Sequence, residues 1–139
     1  MISAKIIDCM NTDFARIHPD MMVVEASAKL IKKESIGAPV TDENGYLVGW
    51  ISETECLQVA LQVIYYNQRV ATVKDVMRRE VLSVKPGDDP LHLAQQMLAQ
   101  KPKVYPVVDS DNKVLGVVTR RRILKMLDEK LVEMSKGAL

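Results

Sequence analysis

The sequence predicts an α+β fold in which two similar β-α-β-β-α units pack as one pseudo-two-fold module. First, residues 5–60 align with residues 72–127 without a gap when the chain is shifted by 67 positions. Second, a Pro-Val strand, a turn and a returning strand occur in both copies, at residues 39–55 and 106–122. Third, apolar residues recur at helical spacing on either side of each hairpin. We therefore assign residues 1–66 to the first unit, 67–71 to a connector, 72–134 to the second unit and 135–139 to a tail.

Identical residues in register support the repeat, although overall identity between the copies is low. The matched pairs are Asp8/Asp75, Met10/Met77, Pro19/Pro86, Pro39/Pro106, Val40/Val107, Asp42/Asp109, Gly49/Gly116 and Leu57/Leu124. The connector is too short to separate two independent domains. We therefore expect the copies to pack on each other, since neither alone offers a sizeable core.

Each unit begins with a lead-in, a brief strand, a turn with proline and a helix. The lead-ins end at Met10 and Met77, and the brief strands are predicted at residues 15–18 and 81–84. Asp89 and Pro90 fit the N-cap and first position of the second-unit helix, whereas the first unit has Met22 and Val23 there. The helical spacing is carried by Val24, Ser27, Leu30 and Ile31 in one copy and by Leu91, Ala94, Met97 and Leu98 in the other.

The hairpin of the first unit is the best-defined local feature. Asn44 and Gly45 favour a two-residue turn because both tolerate a positive φ. Gly49 interrupts a bulky strand, which indicates a bulge or the close approach of another backbone or a ligand. Ser52 and Glu55 fit a capping box at the start of the closing helix.

The closing helices differ in how their apolar residues are arranged. The first has stripes on most sides, Leu57, Ala60, Leu61 and Ile64 on one and Val59, Val63 and Tyr66 on another. A helix that is apolar all round needs cover on every side, so this pattern predicts a homodimer. In the second, running from residue 123 to about 135, Leu124, Leu127 and Leu131 are expected to face inward and Asp128, Glu129 and Lys130 outward.

Composition excludes several classes of protein. The net charge is +1, which gives no indication of a nucleic-acid or membrane partner. An apolar fraction of 47% argues against disorder. No signal peptide is evident, and the apolar stretch at 57–66 is too short to span a bilayer. A soluble cytoplasmic protein is expected.

No catalytic or metal-binding constellation is apparent. Cys9 and Cys56 align with Val76 and Ile123, so they are interpreted as small buried hydrophobes rather than reactive thiols. His18 and His92 fit solvated surface positions. There is no phosphate loop, GxGxxG, HExxH or CxxC motif. We therefore expect a protein that is not an enzyme, binds no metal and requires no cofactor.

The ordered motifs Asp-x-Met, Val/Ile-x-Pro, Pro-Val-x-Asp and Leu-x-Gly-x-Ile/Val-Ser/Thr, present twice, resemble a tandem pair of cystathionine-β-synthase-type (CBS) domains, the Bateman module. The resemblance covers about residues 3–132 and implies adenosine-nucleotide sites at the end of each second strand. By this resemblance the first site would use Ile36, Gly37, Ala38, Pro39, Ser52 and Glu55. The second site, for a nucleotide or an anion, would use Lys103, Val104, Tyr105, Pro106, Thr119, Arg121 and Arg122.

Both acidic positions of the family pattern are altered. Glu55 keeps the charge on a longer side chain, whereas Arg122 cannot accept a ribose hydroxyl and instead suits a phosphate or a solvated helix start. Ser52 and Glu55 could equally form a capping box with no ligand. Two functions stay open: a regulatory module that senses AMP, ADP, ATP or S-adenosylmethionine, or a ligand-free module for dimerisation and control of an unknown protein partner.

Overall fold

The structure, a computed structural model, describes residues 3–99 and 102–137. The first unit contains the helix Val23–Lys32 (α1), the strands Gly37–Thr41 (β1) and Leu47–Ser52 (β2), and the helix Glu53–Tyr66 (α2). The second unit contains the helices Val73–Val76 (α3) and Pro90–Ala99 (α4), the strands Val104–Val108 (β3) and Val114–Thr119 (β4), and the helix Arg120–Gly137 (α5). A 3₁₀ turn at Ile6–Asp8 takes the place of α3 in the first unit.

Each unit has an antiparallel two-stranded sheet, β1 with β2 and β3 with β4. The strands predicted at residues 15–18 and 81–84 were wrong in extent. They are reduced to single parallel bridges from Ile17 to Val40 and from Val84 to Val107. Pro19 and Pro86 follow two residues later and lack a backbone N–H, so the ladder cannot continue there.

The hairpin turn is one residue wider than predicted. Gly45 has a positive φ of 87°, whereas Asn44 does not, and the Gly45 N–H donates to the Asp42 carbonyl. The Asp42 carboxylate accepts the N–H groups of Asn44 and Tyr46, and the ladder shifts register between Val40 and Thr41. This Asx-type turn followed by a bulge replaces the predicted two-residue turn. The second unit repeats it with Asp109, and with Asn112 at φ 67°.

The helix starts were predicted correctly, and the structure identifies which residues of each helix are buried. Asp89 Oδ1 accepts the Leu91 N–H at 2.9 Å, and Met22 gives α1 no side-chain cap. The buried residues are Val23, Ala26 and Leu30 in α1 and Pro90, Leu93 and Met97 in α4. Ile31 and Leu98 are 73% and 88% exposed. The periodicity indicates a helix with apolar residues, but the buried face of α1 also includes the small residue Ala26.

Both closing helices leave an apolar stripe in solvent. Helix α2 buries Cys56 and Val59, while Leu57 and Ile64 are 62% and 75% exposed. Helix α5 buries Ile123. Leu124 and Leu131, at the positions equivalent to Leu57 and Ile64, are 65% and 62% exposed. The predicted inward orientation of Leu124 and Leu131 was therefore wrong for the single chain. The side of α5 that meets the sheet is already filled by Ile123 and, in part, by Met126 and Leu127.

The two units are joined by lead-ins that cross to the opposite unit. Asn11 bridges to Val117 on β4, and Arg78 bridges to Trp50 on β2. A Cβ on Gly49 would lie 2.5 Å from Met77 Sδ and 2.9 Å from the Arg78 carbonyl oxygen, so the predicted close approach of a backbone is confirmed. The hairpin tips also pair, the Leu47 N–H donating to the Asn112 carbonyl at 3.0 Å. No described helix is long and apolar enough to cross a membrane.

Candidate functional site

A cleft of about 450 Å³ lies between the two units. The first unit contributes β1, the end of β2 and the start of α2, and the second contributes its crossing lead-in and the start of β3. The lining residues are Ile36, Gly37, Trp50, Ser52, Glu53, Thr54, Arg78, Glu80, Val81, Leu82, Pro102, Lys103, Val104 and Pro106. The cleft therefore combines residues that the sequence assigned to two separate sites.

Trp50 is the aromatic side chain of this cleft. Its indole lies across Gly37, where a Cβ would be only 2.7 Å from Trp50 Nε1. The ring packs against a small cluster of Phe14, Val104 and Val117, which holds it between the units. Trp50 was not identified as a site residue from the sequence. A signal was available, because the hairpin pairs Pro39 with Trp50. This pairing places the indole on the same face of the sheet as Gly37, which has no side chain to fill that space.

Ser52 and Glu55 form the predicted capping box at the start of α2. Ser52 Oγ accepts the Thr54 N–H at 3.2 Å, and Glu55 accepts both the Ser52 N–H at 3.1 Å and the Ser52 hydroxyl at 2.8 Å. Glu55 is only 9% exposed. Its carboxylate therefore lies behind Ser52 at the cleft wall, with its oxygens already accepting hydrogen bonds.

Two cationic side chains line the cleft. Arg78 Nε lies 3.6 Å from Glu55 Oε1, and the Arg78 side chain is 64% exposed. Lys103, from the residues preceding β3, is exposed on the opposite wall. Arg78 was not singled out from the sequence, because its position depends on the lead-in crossing between units. The only local signal was its place directly after Met77 of the repeated Asp-x-Met motif.

The remaining residues of the second predicted site lie elsewhere. Thr119 Oγ1 accepts the Arg122 N–H at 3.1 Å, and Arg122 Nη1 donates to the Met10 carbonyl at 3.2 Å. These residues and the exposed Arg121 are at the start of α5, beside the lead-in of the first unit, and do not line the cleft. Tyr105 was assigned to the second site by the family resemblance. Its ring is 2% exposed and lies within the core of the second unit. Ala38 and Pro39 of the first predicted site are likewise buried in the first unit.

The Tyr105 hydroxyl has no hydrogen-bond partner among the described residues. Burial raises the pKa of this phenol above its ordinary value. Its surroundings are the apolar side chains of the second core, including Ile6, Leu93 and Met97. Tyr105 is therefore a structural residue of this unit, and its hydroxyl is unpaired within the part of the chain that the structure describes.

A second groove, of about 580 Å³, lies between α1 and α2 and reaches Cys56. Cys9 and Cys56 are both free and buried, and burial is the main cause that raises the pKa of each thiol. This agrees with their interpretation as small buried hydrophobes. Within the described parts of the chain, no three His, Cys, Asp or Glu side chains are grouped so that they could hold a metal ion.

The sequence matches the CBS domain over two segments, residues 6–62 and 73–129. The chain belongs to the CBS domain family. The two matched segments are offset by the same 67 residues as the internal repeat. The α+β architecture with two repeated CBS units is thus shown both by the family match and by the structure.

Solved CBS pairs share this architecture over nearly the whole chain. CBSX2, a CBS-pair protein of Arabidopsis thaliana, was crystallised in complex with AMP. It is 26% identical, with a TM-score of 0.80 over 91% of this chain and 98% of that one. The CBS pair of protein MJ0100, crystallised with 5-methylthioadenosine and S-adenosyl-L-methionine, is 25% identical. Its TM-score is 0.77, over 91% of this chain and 98% of its own.

The curated proteins that are similar to this chain are longer than it is. The uncharacterized protein MJ1004 of Methanocaldococcus jannaschii is 30% identical over 125 residues, covering 88% of this chain and 56% of that protein. An inosine-5'-monophosphate dehydrogenase of the same organism is 29% identical over 113 residues, covering 81% of this chain and 21% of the enzyme. The chain therefore spans about half or less of these relatives.

Proposed function

We propose that this CBS pair is a regulatory module that binds an adenosine-type nucleotide in the cleft between its two units. The observation that carries the proposal is the composition of the cleft, in which the Trp50 indole of the first unit, two cations of the second unit and apolar side chains of both surround one space. The likeness of the whole chain to CBSX2, crystallised with AMP, supports the same ligand class. In this proposal the chain is not an enzyme and acts on a partner protein.

The cleft offers a partner for each part of the ligand. A base would lie against Trp50 and the apolar side chains of Val81 and Val104, since aromatic stacking on a base contributes about 1–3 kcal/mol. The ribose would reach the Ser52 hydroxyl, with Glu55 directly behind it. Phosphates would meet Arg78 and Lys103, because charge-assisted hydrogen bonds to phosphate are the stronger kind.

The second predicted site is proposed only as a weaker anion site. Arg122 already donates to the Met10 carbonyl, so its guanidinium is partly committed to holding the first lead-in. Thr119 likewise accepts the Arg122 N–H. Arg121 is exposed there, together with Arg120 and Lys125. We expect this position to take a phosphate tail or to stay empty.

A thermal-shift titration with AMP, ADP, ATP and S-adenosylmethionine tests the proposal. Ligand at 100 times its dissociation constant stabilises the native state by about 2.7 kcal/mol, or about 9 °C for a chain of this size. Glu55→Ala should abolish most of the AMP shift, and Arg122→Ala should leave it largely intact. No shift with any of the four ligands at millimolar concentration would overturn the proposal.

The alternative, a ligand-free module for dimerisation or protein control, is favoured by the exposed stripes of α2 and α5. Leu57, Ile64 and Tyr65 on α2 are 62–75% exposed. Contiguous apolar surface of this kind typically marks a protein interface, and we propose that a second copy covers it. Light scattering should give twice the chain mass of 15.6 kDa for the wild type and one chain mass for Ile64→Asp. Gln62→Asp on the flank of the same helix is the control, and a wild-type monomer would contradict the homodimer.

A further inference from the structure

We infer that Arg78 recognises the anionic end of the cleft ligand and that Glu55 positions its guanidinium. The inference rests on the proposed function and deepens it, since it names the residue that makes the cleft prefer a phosphorylated ligand. It also gives Glu55 a role different from the ribose contact that the family resemblance implies. The two residues belong to different units, and their side chains meet at the cleft.

The backbone of Arg78 is held firmly at the cleft. Its N–H donates to the Trp50 carbonyl and its carbonyl accepts the Trp50 N–H, both at 2.8 Å. Gly49 lets the Arg78 backbone approach this closely, since a Cβ there would lie 2.9 Å from the Arg78 carbonyl oxygen. The Arg78 side chain therefore starts from a fixed point beside Trp50, the proposed base-stacking residue.

The two side chains differ in how free they are. Glu55 is held behind the wall by the Ser52 N–H and hydroxyl, and its side chain is 11% exposed. The Arg78 side chain is 64% exposed, and Glu55 is its only polar side-chain partner in the described parts of the chain. Arginine has five N–H donors in a planar fork. Since Nε is the nitrogen that faces Glu55, the two terminal nitrogens are free to bind a phosphate bidentately.

The charge balance of the cleft depends on Arg78. Two cations, Arg78 and Lys103, and two carboxylates, Glu53 and Glu80, line the cleft, so the formal charges of the lining cancel. Glu55, behind the wall and 3.6 Å from Arg78, adds a third carboxylate that only Arg78 offsets. Removing the Arg78 charge leaves a net charge of −1 on these lining residues. An anion would then meet repulsion instead of a bidentate partner. An uncharged adenosyl ligand makes no such contact and should be indifferent to the change.

Isothermal titration calorimetry of the full chain with AMP and with adenosine separates these roles. We expect wild type to prefer AMP by about tenfold or more, the range of a hydrogen bond to a charged group. Arg78→Ala should weaken AMP about tenfold and adenosine less than twofold, and should flatten the salt dependence of AMP binding. Arg79→Ala is the matched control. Arg79 is the next residue, its guanidinium donates to the Lys74 carbonyl, and it does not line the cleft.

Two further variants test the positioning role of Glu55. Glu55→Gln keeps an acceptor for Ser52 but removes the charge that orients Arg78. The loss of positioning should weaken AMP several-fold even though a repelling carboxylate is removed, and should leave adenosine unchanged. Arg78→Lys keeps the charge without the fork and should fall between wild type and Arg78→Ala.

Equal loss of AMP and adenosine in Arg78→Ala, or equal affinity for both ligands in wild type, would overturn the inference and leave the proposed function standing. A loss of adenosine binding in Glu55→Gln would overturn the positioning role in favour of a ribose contact. If wild type binds neither AMP nor adenosine, the inference is overturned, and the proposed function falls with it only if ADP, ATP and S-adenosylmethionine also give no thermal shift.

Discussion

Replacing Gly49 by alanine should strongly destabilise the fold, because the lead-in of the second unit crosses β2 at this residue. The added Cβ would lie 2.5 Å from Met77 Sδ and 2.9 Å from the Arg78 carbonyl oxygen. The thioether of Met77 can move. The carbonyl cannot move without lengthening its 2.8 Å hydrogen bond to the Trp50 N–H. The substitution therefore acts on the junction between the units rather than on one strand.

The expected loss is about 2–3 kcal/mol. Overpacking in a well-packed region costs about 1–3 kcal/mol, and each weakened backbone hydrogen bond adds about 0.5–1.5 kcal/mol. The lower entropy of the unfolded alanine chain offsets about 0.4–1 kcal/mol. With an unfolding entropy of about 0.3 kcal/mol/K for 139 residues, the melting temperature should fall by about 7–10 °C.

Differential scanning calorimetry measures this change directly. Gly87→Ala is the control, because a Cβ there meets nothing within 4 Å and the residue has no positive φ, so its melting temperature should hold or rise slightly. Gly116→Ala should reproduce the loss, since its Cβ would lie 2.7 Å from the Asn11 carbonyl oxygen on the other crossing. If Gly49→Ala melts within about 2 °C of wild type, the backbone crossing inferred from the glycine is incorrect.

Three other changes have definite expected outcomes. Tyr105→Phe removes a buried hydroxyl that has no partner among residues 3–99 and 102–137, and should stabilise the protein by about 1–2 kcal/mol in urea unfolding. Because burial raises the pKa of Tyr105, the wild type should also lose stability relative to this variant as pH rises above about 10. If Tyr105→Phe is no more stable than wild type at neutral pH, the wild-type hydroxyl is hydrogen-bonded. Asp89→Ala removes the cap of α4 and should cost about 1 kcal/mol, whereas no loss would show that the cap is dispensable. Hydrogen bonds from Thr72 lower the pKa of Asp75, so the stability it contributes is present above about pH 4 and lost as pH falls. The melting difference between wild type and Asp75→Asn should therefore shrink in acid, and a difference independent of pH would refute this.

Features that depend on near neighbours in the chain were predictable from the sequence. The strand pairs, the Ser52 capping box and the Asp89 cap follow from residue types a few positions apart, and the structure agrees with them. The repeat follows from aligning the chain with itself, and the family match agrees with it. The turn was partly missed, because the repeated Asp42 side chain, rather than Asn44, sets its geometry. Burial of both cysteines was anticipated from their apolar counterparts in the other copy.

The tertiary structure alone decided which residues meet in the cleft. A sequence with two similar units does not reveal whether a lead-in pairs with its own sheet or with the other one. The structure shows that the lead-ins cross, which brings Arg78 to Trp50 and Glu55 and leaves Arg122 with Met10. It also buries Tyr105 in a core and leaves Leu124 in solvent. These outcomes depend on how two preformed units dock, and docking is set by shape and by backbone hydrogen bonds between distant segments, which local patterns of residue type do not encode.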